Sequence, residues 1–184
     1  MKRMQRGTWI LIILSGLCLA ATSAVAQSAD KVERVPANPD FPFAAAVVVP
    51  AGYDTLYISG HIPKVAKADA PKGSPEMYGD TKTQTTSVLQ QISDVLAAKG
   101  LTMADVVMVH VYLAGDPAKD GKMDFAGMNS AFVQFFGSKD QPLKPARSTV
   151  QVAALAAPGA LVEIEAIAVR KHLATARPLK LETP

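Results

Sequence analysis

The segment Leu161–Arg170 alternates between two kinds of side chain. Its even-numbered positions are all apolar, namely Val162, Ile164, Ala166 and Ala168. Its odd-numbered positions include Glu163 and Glu165. A side-chain period of two is the period of a β-strand and does not fit a helix. The alternation therefore predicts a strand with one buried face, and the rest of the chain has to supply a sheet and a layer that covers it.

A second informative strand is predicted at Arg147–Leu155. Its alternation places Arg147, Thr149 and Gln151 on one face and Ser148, Val150 and Val152 on the other. If the apolar faces of both strands contact the helices, the opposite face of the sheet carries Arg147 and Glu163 together. The same face would also carry Thr149, Gln151, Glu165, Ile167 and Val169. A face of this mixed character is either solvated or buried against another subunit, and we favour the subunit interface.

Two helices are predicted from apolar residues at helical spacing. Asp80 is the expected N-cap of a helix that runs to Lys99 and is ended by Gly100. The apolar stripe of this helix consists of Val88, Leu89, Ile92, Val95 and Leu96. The second helix, Met123–Phe136, carries a stripe of Phe125, Met128, Phe132 and Phe136 and is ended by Gly137. An aromatic row that contacts a cofactor is one interpretation of this stripe, but a helix face packed on a sheet is the stronger one.

Three more segments are predicted as strands from their β-branched and aromatic content, namely Phe43–Val49, Thr55–Gly60 and Val106–Ala114. A short turn with proline and glycine joins the first two of them. Loops are expected at Pro63–Gly79 and Gly115–Lys122, which lack periodicity. Strand pairs interleaved with two helices predict an α+β fold in which both helices lie on one face of the sheet.

Residues 1–26 have the pattern of a secretory leader. Three basic residues precede an apolar stretch, and Ala24-Val25-Ala26 forms an A-x-A cleavage site before Gln27. The single cysteine of the chain, Cys18, lies in this leader, so the mature chain is expected to have no thiol. We predict a secreted or periplasmic protein that is not attached to the membrane after cleavage. Residues 27–40 are expected to form a polar surface extension, residues 41–170 the domain, and residues 171–184 a loose tail.

Charge and spacing argue against several classes of site. The chain has 19 basic and 16 acidic residues, and three of the basic residues but no acidic residue lie in the leader, so the mature chain is neutral. A neutral chain without a basic stripe offers little to a nucleic acid. The histidines His61, His110 and His172 are scattered, and no cluster has metal-ligand spacing, so His110 is expected to be a packed or surface residue. There is no glycine-rich phosphate loop and no serine-nucleophile motif.

Several segments, taken in chain order, resemble one protein family. They are Phe41–Val47 (FPFAAAV), Leu56–Pro63 (LYISGHIP), Met128–Gly137 (MNSAFVQFFG), Pro145–Val152 (PARSTVQV) and Val162–Ala168 (VEIEAIA). They resemble the reactive-intermediate deaminases, the Rid or YjgF-like proteins, over roughly residues 41–170. The resemblance implies a chorismate-mutase-like α+β unit, with a mixed sheet and two helices packed on one face. It also implies a homotrimer whose clefts lie between subunits.

The resemblance further implies a reaction. Members of the family hydrolyse short-lived 2-imino or 2-enamino acids to 2-oxo acids and ammonia, without a cofactor or a metal. By position, Arg147 matches the arginine that binds the substrate carboxylate, a task suited to a planar guanidinium. Glu163 matches the acid that positions or activates the attacking water and serves in proton transfer. The other positions that match the cleft are Asn129, Ser59, Gly60, Phe43 and Thr149.

Three positions depart from the family pattern and keep other hypotheses open. Phe43 stands where many members have tyrosine, Thr149 where cysteine is frequent, and His61 where glutamine is common. The absent hydroxyl at Phe43 favours a second hypothesis, a non-catalytic trimer that binds small carboxylate metabolites through Arg147. A third hypothesis is a holdase-like protein of the cell envelope. Without the family context, a strand arginine is more often solvated or salt-bridged than catalytic.

Overall fold

The fold is described for residues 31–172 in a computed structural model of the chain. In chain order, its elements are β1 (Glu33–Val35), β2 (Ala46–Val48), β3 (Tyr53–His61), α1 (Thr81–Ala97), β4 (Val106–Ala114), α2 (Phe125–Phe135), β5 (Ala146–Val152) and β6 (Val162–Lys171). The predicted leader and most of the predicted tail lie outside the described residues. Within residues 31–172, neither helix is long and apolar enough to cross a membrane.

The main sheet is mixed and has the strand order β3-β6-β4-β5. β6 lies between β3 and β4 and is antiparallel to both, whereas β5 is parallel to β4 at one edge. The side chains of β6 that its alternation predicts to be buried are buried, namely Val162, Ile164, Ala166 and Ala168. The α+β class and the mixed sheet expected from the sequence are therefore confirmed.

Both predicted helices are present and contribute to the core on this side of the sheet. α1 begins after Asp80, whose carboxylate accepts a hydrogen bond from the Thr83 amide at 2.8 Å. α2 begins after Asp124, whose carboxylate accepts one from the Gly127 amide at 3.0 Å. The side chains that the helices contribute to the core include Val88, Leu89, Ile92, Leu96, Met128, Phe132 and Phe136. The second helix is shorter than predicted, because it begins after the Asp124 cap, two residues inside the predicted range, and ends at Phe135.

The N-terminal part of the domain differs from the prediction. The segments Phe43–Val49 and Thr55–Gly60 do not pair with each other. β2 pairs with β1, which lies in the segment predicted as a surface extension, and β3 pairs with β6. β1 has three residues, two of them charged, so it is too short and too polar to show a period of two. The sequence pattern therefore predicts β2 as part of a strand but gives no signal for its partner β1.

Hydrogen bonds from Arg34 in β1 connect this small sheet to the main sheet. Its guanidinium donates hydrogen bonds to the carbonyl oxygens of Val106 at 3.0 Å, Lys144 at 3.0 Å and Ala104 at 2.7 Å. Burial lowers the pKa of Arg34 from its ordinary value, and the charge of Asp105 opposes this effect. The attachment of β1 is therefore polar, with one charged donor group shared among three backbone acceptors.

The predicted orientation of β5 is wrong. Arg147 lies beside Val109 in the parallel pair, and Thr149 lies beside Val111. Both valines are buried in the core under the helices. Side chains in register on neighbouring strands point to the same face of a sheet. The β5 side chains on the helix side are therefore Arg147, Thr149 and Gln151, and those on the other side are Ser148, Val150 and Val152.

Glu163 lies on the face opposite to that of Arg147. It stands across from Tyr112 in β4, just as Glu165 stands across from His110. The prediction that Arg147 and Glu163 share one face is therefore wrong for a single protomer. The two faces of β5 read Arg-Thr-Gln and Ser-Val-Val, so the alternation favours burial of the second face, but the structure places the first face on the helix side. The register with β4 decides it.

The order of the strands in the sheet also differs from their order along the chain. β5 and β6 are consecutive in sequence, but β4 lies between them. α2 instead connects β4 to β5, because two parallel strands need a long crossover connection. The expected strand pairs are therefore wrong at both ends of the domain, although the strands themselves are present.

We expect Arg34→Met to lower the free energy of unfolding by about 2–4 kcal/mol, because three partly buried carbonyl groups lose their charged donor. Urea unfolding followed by circular dichroism measures this change. Arg170→Met is the matched control, since the Arg170 side chain is 55% exposed and its ion pair with Asp54 lies at the surface. The control should change the free energy by less than about 0.5 kcal/mol. Equal effects of the two substitutions would contradict the assigned role of Arg34.

Candidate functional site

Arg147 lies among three phenylalanine rings and Asn129, a group called here the arginine pocket. The guanidinium carbon is 4.8 Å from the ring centre of Phe43, 5.6 Å from that of Phe125 and 4.5 Å from that of Phe132. The Nη1 atom of Arg147 donates a hydrogen bond to Oδ1 of Asn129 at 3.0 Å. The pocket thus brings together three of the residues predicted from the sequence, Phe43, Asn129 and Arg147.

The guanidinium in this pocket is desolvated and lacks an acidic partner. No carboxylate within residues 31–172 lies at ion-pair distance from Arg147. Burial lowers the pKa of Arg147 from its ordinary value to about 10, so the group stays protonated at neutral pH. The ring faces attract the cation but do not neutralise it. The remaining N–H donors therefore suit an anionic group, and a carboxylate matches the geometry of the guanidinium fork.

The pocket is built from three separate parts of the chain. Its residues on α2 are spaced four and three positions apart, which places them on one side of the helix. Phe43 comes from the segment before β2, next to the edge of the main sheet. There the Ala44 amide donates to the Pro145 carbonyl at 2.8 Å, and Ala44 forms a parallel bridge with Ala146. Neither α2 nor the segment that carries Phe43 is continuous in sequence with β5.

Phe125 and Phe132 are pocket residues whose helical spacing predicts packing alone. Phe132 is buried in the core as predicted, whereas Phe125 is 43% exposed. Both also face the guanidinium of Arg147. The helical spacing does indicate that the two rings belong to the same site as Asn129, because all three residues lie on one side of α2. The spacing does not indicate that Arg147 is the group they face.

Ser59, Gly60 and Glu163 form a second group at the end of β3, called here the glutamate cluster. The Glu163 carboxylate lies directly against Gly60, and a Cβ atom on Gly60 would overlap one of its oxygens. A larger residue at position 60 would therefore force the Glu163 carboxylate to move from this position. A shift in register between Ile58 and His61 displaces β3 at this point, and His61 Nδ1 lies 2.8 Å from the Ser59 carbonyl oxygen.

The arginine pocket and the glutamate cluster do not meet within one protomer. Through β4, Arg147 aligns with Ala166, and Glu163 lies three residues further along β6. Two strand spacings and three residues of rise separate their Cα atoms by about 14 Å, with the side chains on opposite faces. Thr149 lies on the arginine side, where its hydroxyl oxygen is shielded from solvent and has no hydrogen-bond partner among the described residues.

The sheet face opposite the helices, called here the outer face, carries a polar group among exposed side chains. His110 Nδ1 lies 2.8 Å from Oε1 of Glu165. The Tyr112 hydroxyl donates to the same oxygen at 3.1 Å, which raises the pKa of Tyr112. On this face Tyr57 is 76% exposed and Val150 is 46% exposed. Over residues 31–172, no three histidine, cysteine or acidic side chains are arranged to hold a metal ion.

The chain matches one protein-family model over residues 36–170, and that model is described as endoribonuclease L-PSP. The matched range begins just after β1 and ends within β6. It therefore contains the whole main sheet except the last residue of β6, both helices, the arginine pocket and the glutamate cluster.

The chain is also similar to individual proteins over most of their length. A RutC family protein of Pyrococcus horikoshii is 40% identical over 63% of this chain and 79% of its own length. A 2-iminobutanoate/2-iminopropanoate deaminase of Capra hircus is 35% identical over 73% of this chain and 85% of its own length. A solved structure of a Rid family protein of unknown function from Yersinia pestis matches with a TM-score of 0.53 and 30% identity. That match covers 72% of this chain and 90% of the solved one.

We expect Arg147→Met to fold and to have a thermal midpoint equal to that of the wild type or a few degrees higher. The substitution removes a desolvated, unpaired charge and leaves an apolar side chain among three rings. Phe132→Ala is the contrasting variant in the same pocket, because it removes a fully buried ring and should cost about 3–5 kcal/mol. Calorimetry of the three proteins measures the difference. A large loss of stability in Arg147→Met would show that the arginine holds the fold together instead of serving a ligand.

Proposed function

The chain belongs to the Rid (YjgF-like) family, and on that premise we propose that it hydrolyses reactive 2-imino or 2-enamino acids to 2-oxo acids and ammonia. The observation that carries the proposal is the Arg147 guanidinium. It is charged at neutral pH, desolvated by three rings and without an acidic partner among the described residues. The relative named as a 2-iminobutanoate/2-iminopropanoate deaminase supports the choice of substrate class.

In the proposed reaction, the arginine pocket binds the substrate through its carboxylate. Two parallel hydrogen bonds from Arg147 fix the position and the orientation of the carboxylate. Asn129 holds the guanidinium by accepting a hydrogen bond from Nη1. The rings keep water away from the faces of the cation, which strengthens its attraction for the ligand. The imine carbon, which is bonded to the carboxylate carbon, is thereby placed at a fixed distance from the arginine.

The Glu163 carboxylate is the proposed general base and acid of the hydrolysis. Water adds to the carbon of the protonated imine while Glu163 accepts one of the water protons, and a neutral carbinolamine forms. The carboxyl group gives this proton to the nitrogen, the C–N bond breaks, and the Glu163 carboxylate accepts the hydroxyl proton as the carbonyl forms. Glu163 passes that proton to the departing ammonia, which leaves as ammonium. An enamine first takes up a proton on carbon and becomes the protonated imine. No oxidation or reduction occurs in these steps.

The two groups have to come from different copies of the chain if they act on one substrate molecule. Within one protomer, Arg147 and Glu163 lie on opposite faces of the sheet. We therefore propose the homotrimer, with the glutamate cluster of one copy next to the arginine pocket of another. The exposed Tyr57 and Val150 side chains support association through the outer face, because large apolar side chains on an uncovered sheet are typical of an interface.

A non-catalytic carboxylate binder is the second candidate. Two observations favour it, namely the separation of Arg147 from Glu163 within one protomer and the absence of a hydroxyl on Phe43. In this alternative, the arginine pocket binds a 2-oxo acid and releases it unchanged. Turnover is therefore the property that separates the two candidates.

We expect the wild type to accelerate the loss of 2-imino acids that an amino-acid oxidase generates in the assay. Arg147→Ala should give the buffer rate. Arg147→Lys should retain less than about a tenth of the wild-type acceleration, because an ammonium cannot bind both carboxylate oxygens in a plane. Arg170→Met, an exposed arginine on β6, is the control and should match the wild type. If the wild type gives the buffer rate with several amino acids but 2-oxo acids raise its thermal midpoint, the binder is correct.

A mixing experiment tests whether the site is shared between copies. Arg147→Ala and Glu163→Gln are expected to be inactive as separate proteins. After unfolding and refolding as an equal mixture, about a quarter of the sites should combine an intact arginine with an intact glutamate from different copies. Activity should therefore return to roughly that fraction of wild type, as measured in the oxidase-coupled assay. If the mixture stays inactive while wild type refolded in parallel recovers its activity, both residues act within one protomer and the proposed arrangement is wrong.

A further inference from the structure

Residues 38–45, called here the aromatic arm, are hydrogen-bonded to the two residues just before β5. The Nζ atom of Lys144 donates hydrogen bonds to the carbonyl oxygens of Pro39 at 3.1 Å and Phe41 at 2.7 Å. Three residues after Phe41, the Ala44 amide donates to the Pro145 carbonyl. The arm is therefore attached at both of its ends to two consecutive residues of the chain.

The arm carries the ring that covers one side of the arginine pocket. Phe41 and Phe43 are stacked, with ring centres 5.1 Å apart and an angle of 15° between the rings. Phe43 in turn lies over the Arg147 guanidinium at 4.8 Å. Lys144 precedes Arg147 by three residues. One short segment therefore carries both the guanidinium of the pocket and the lysine that is hydrogen-bonded to the arm with Phe43.

Lys144 is itself held in place at its backbone and along its side chain. Its carbonyl oxygen accepts a hydrogen bond from Arg34 at 3.0 Å, which connects it to β1. The stem of the side chain passes next to Gly137, where a Cβ atom would lie 3.0 Å from Cε of Lys144. The ammonium is bonded to neutral carbonyl groups, and no carboxylate among residues 31–172 forms an ion pair with it. A side chain fixed in this way can hold the arm in one position.

From this arrangement we propose that Lys144 is a positioning residue of the arginine pocket, which acts on the ligand through Phe43. The proposal rests on the proposed function for the identity of the ligand, a small 2-imino or 2-oxo acid. With the arm in place, the ring of Phe43 shields one face of the guanidinium, and a carboxylate binds at the N–H edge. When the arm is released, water solvates the exposed face, and the attraction between the cation and the carboxylate becomes weaker.

The test compares Lys144→Met, which removes the donors but keeps an unbranched apolar stem, with Lys144→Arg, which keeps charge and donors. Lys139→Met is the matched control, because Lys139 is exposed and lies in the same connection between α2 and β5. In Lys144→Met, KM for 2-imino acids should rise about fivefold with kcat within twofold of wild type, as expected for loss of ground-state binding. Lys144→Arg should restore KM to within about twofold of wild type, and Lys139→Met should not change it.

A readout that needs no ligand separates this proposal from the proposed function. Phenylglyoxal modifies accessible guanidinium groups, and peptide mass spectrometry reports the rate at Arg147. That rate should rise in Lys144→Met by about tenfold, equivalent to about 1.4 kcal/mol of protection lost, and should return towards wild type in Lys144→Arg. An unchanged rate would overturn the positioning role, whether or not the protein is a deaminase.

The two remaining results also have definite meanings. A faster modification of Arg147 with an unchanged KM would show that the arm covers the arginine without affecting the ligand, which contradicts the proposal. A rise in KM that disappears at high salt would show that Lys144 acts by its charge, which also contradicts it. If the wild type neither hydrolyses nor binds any such acid, the proposed function fails, and the modification rates still decide whether Lys144 positions the pocket.

Discussion

The parallel pairing of β5 with β4 is the constraint on which the arginine pocket depends. The register puts Arg147 beside Val109, on the side of the sheet that the helices cover. A cation in this layer has to be accommodated by the elements around it. α2 supplies two rings and one amide oxygen, and the segment before β2 supplies the third ring. With a register shifted by one residue, the same side chain would point to the outer face and would meet none of these groups.

Two arginines of this chain show how a structural role differs from a ligand-binding one. Burial lowers the pKa of both Arg34 and Arg147. Arg34 uses its donors on three backbone carbonyls and so connects β1 to the main sheet. Arg147 has one neutral acceptor, Asn129, and its other neighbours are aromatic rings. A partly buried cation with unused hydrogen-bond donors is costly to the fold, and that cost is typical of a site that a ligand completes.

The opposite orientation of Arg147 and Glu163 changes how the family chemistry applies to this chain. One protomer carries an arginine pocket on the helix side and a glutamate cluster on the outer face. In the proposed trimer, association brings one of each together, so that hydrolysis depends on assembly. The aromatic arm adds a third contribution from a segment that is remote in sequence from both groups. The proposed site is therefore distributed over the arm, α2 and β5 of one copy and over β3 and β6 of another.

The sequence by itself determined the elements whose patterns are strong. Val106–Ala114 is a strand with the predicted bounds, the alternation of β6 marks its buried residues, and Asp80 caps α1 as expected. The family resemblance also identified Phe43 and Asn129, which the structure brings to the same pocket as Arg147. Only the tertiary structure decided the pairing of β1 with β2 and the face on which Arg147 lies. β1 is short and polar, so its local pattern carries no preference. In β5 the face with the two valines is the more apolar one, but the other face lies on the helix side. In both strands, hydrogen bonding to a neighbouring strand specifies the orientation of each side chain.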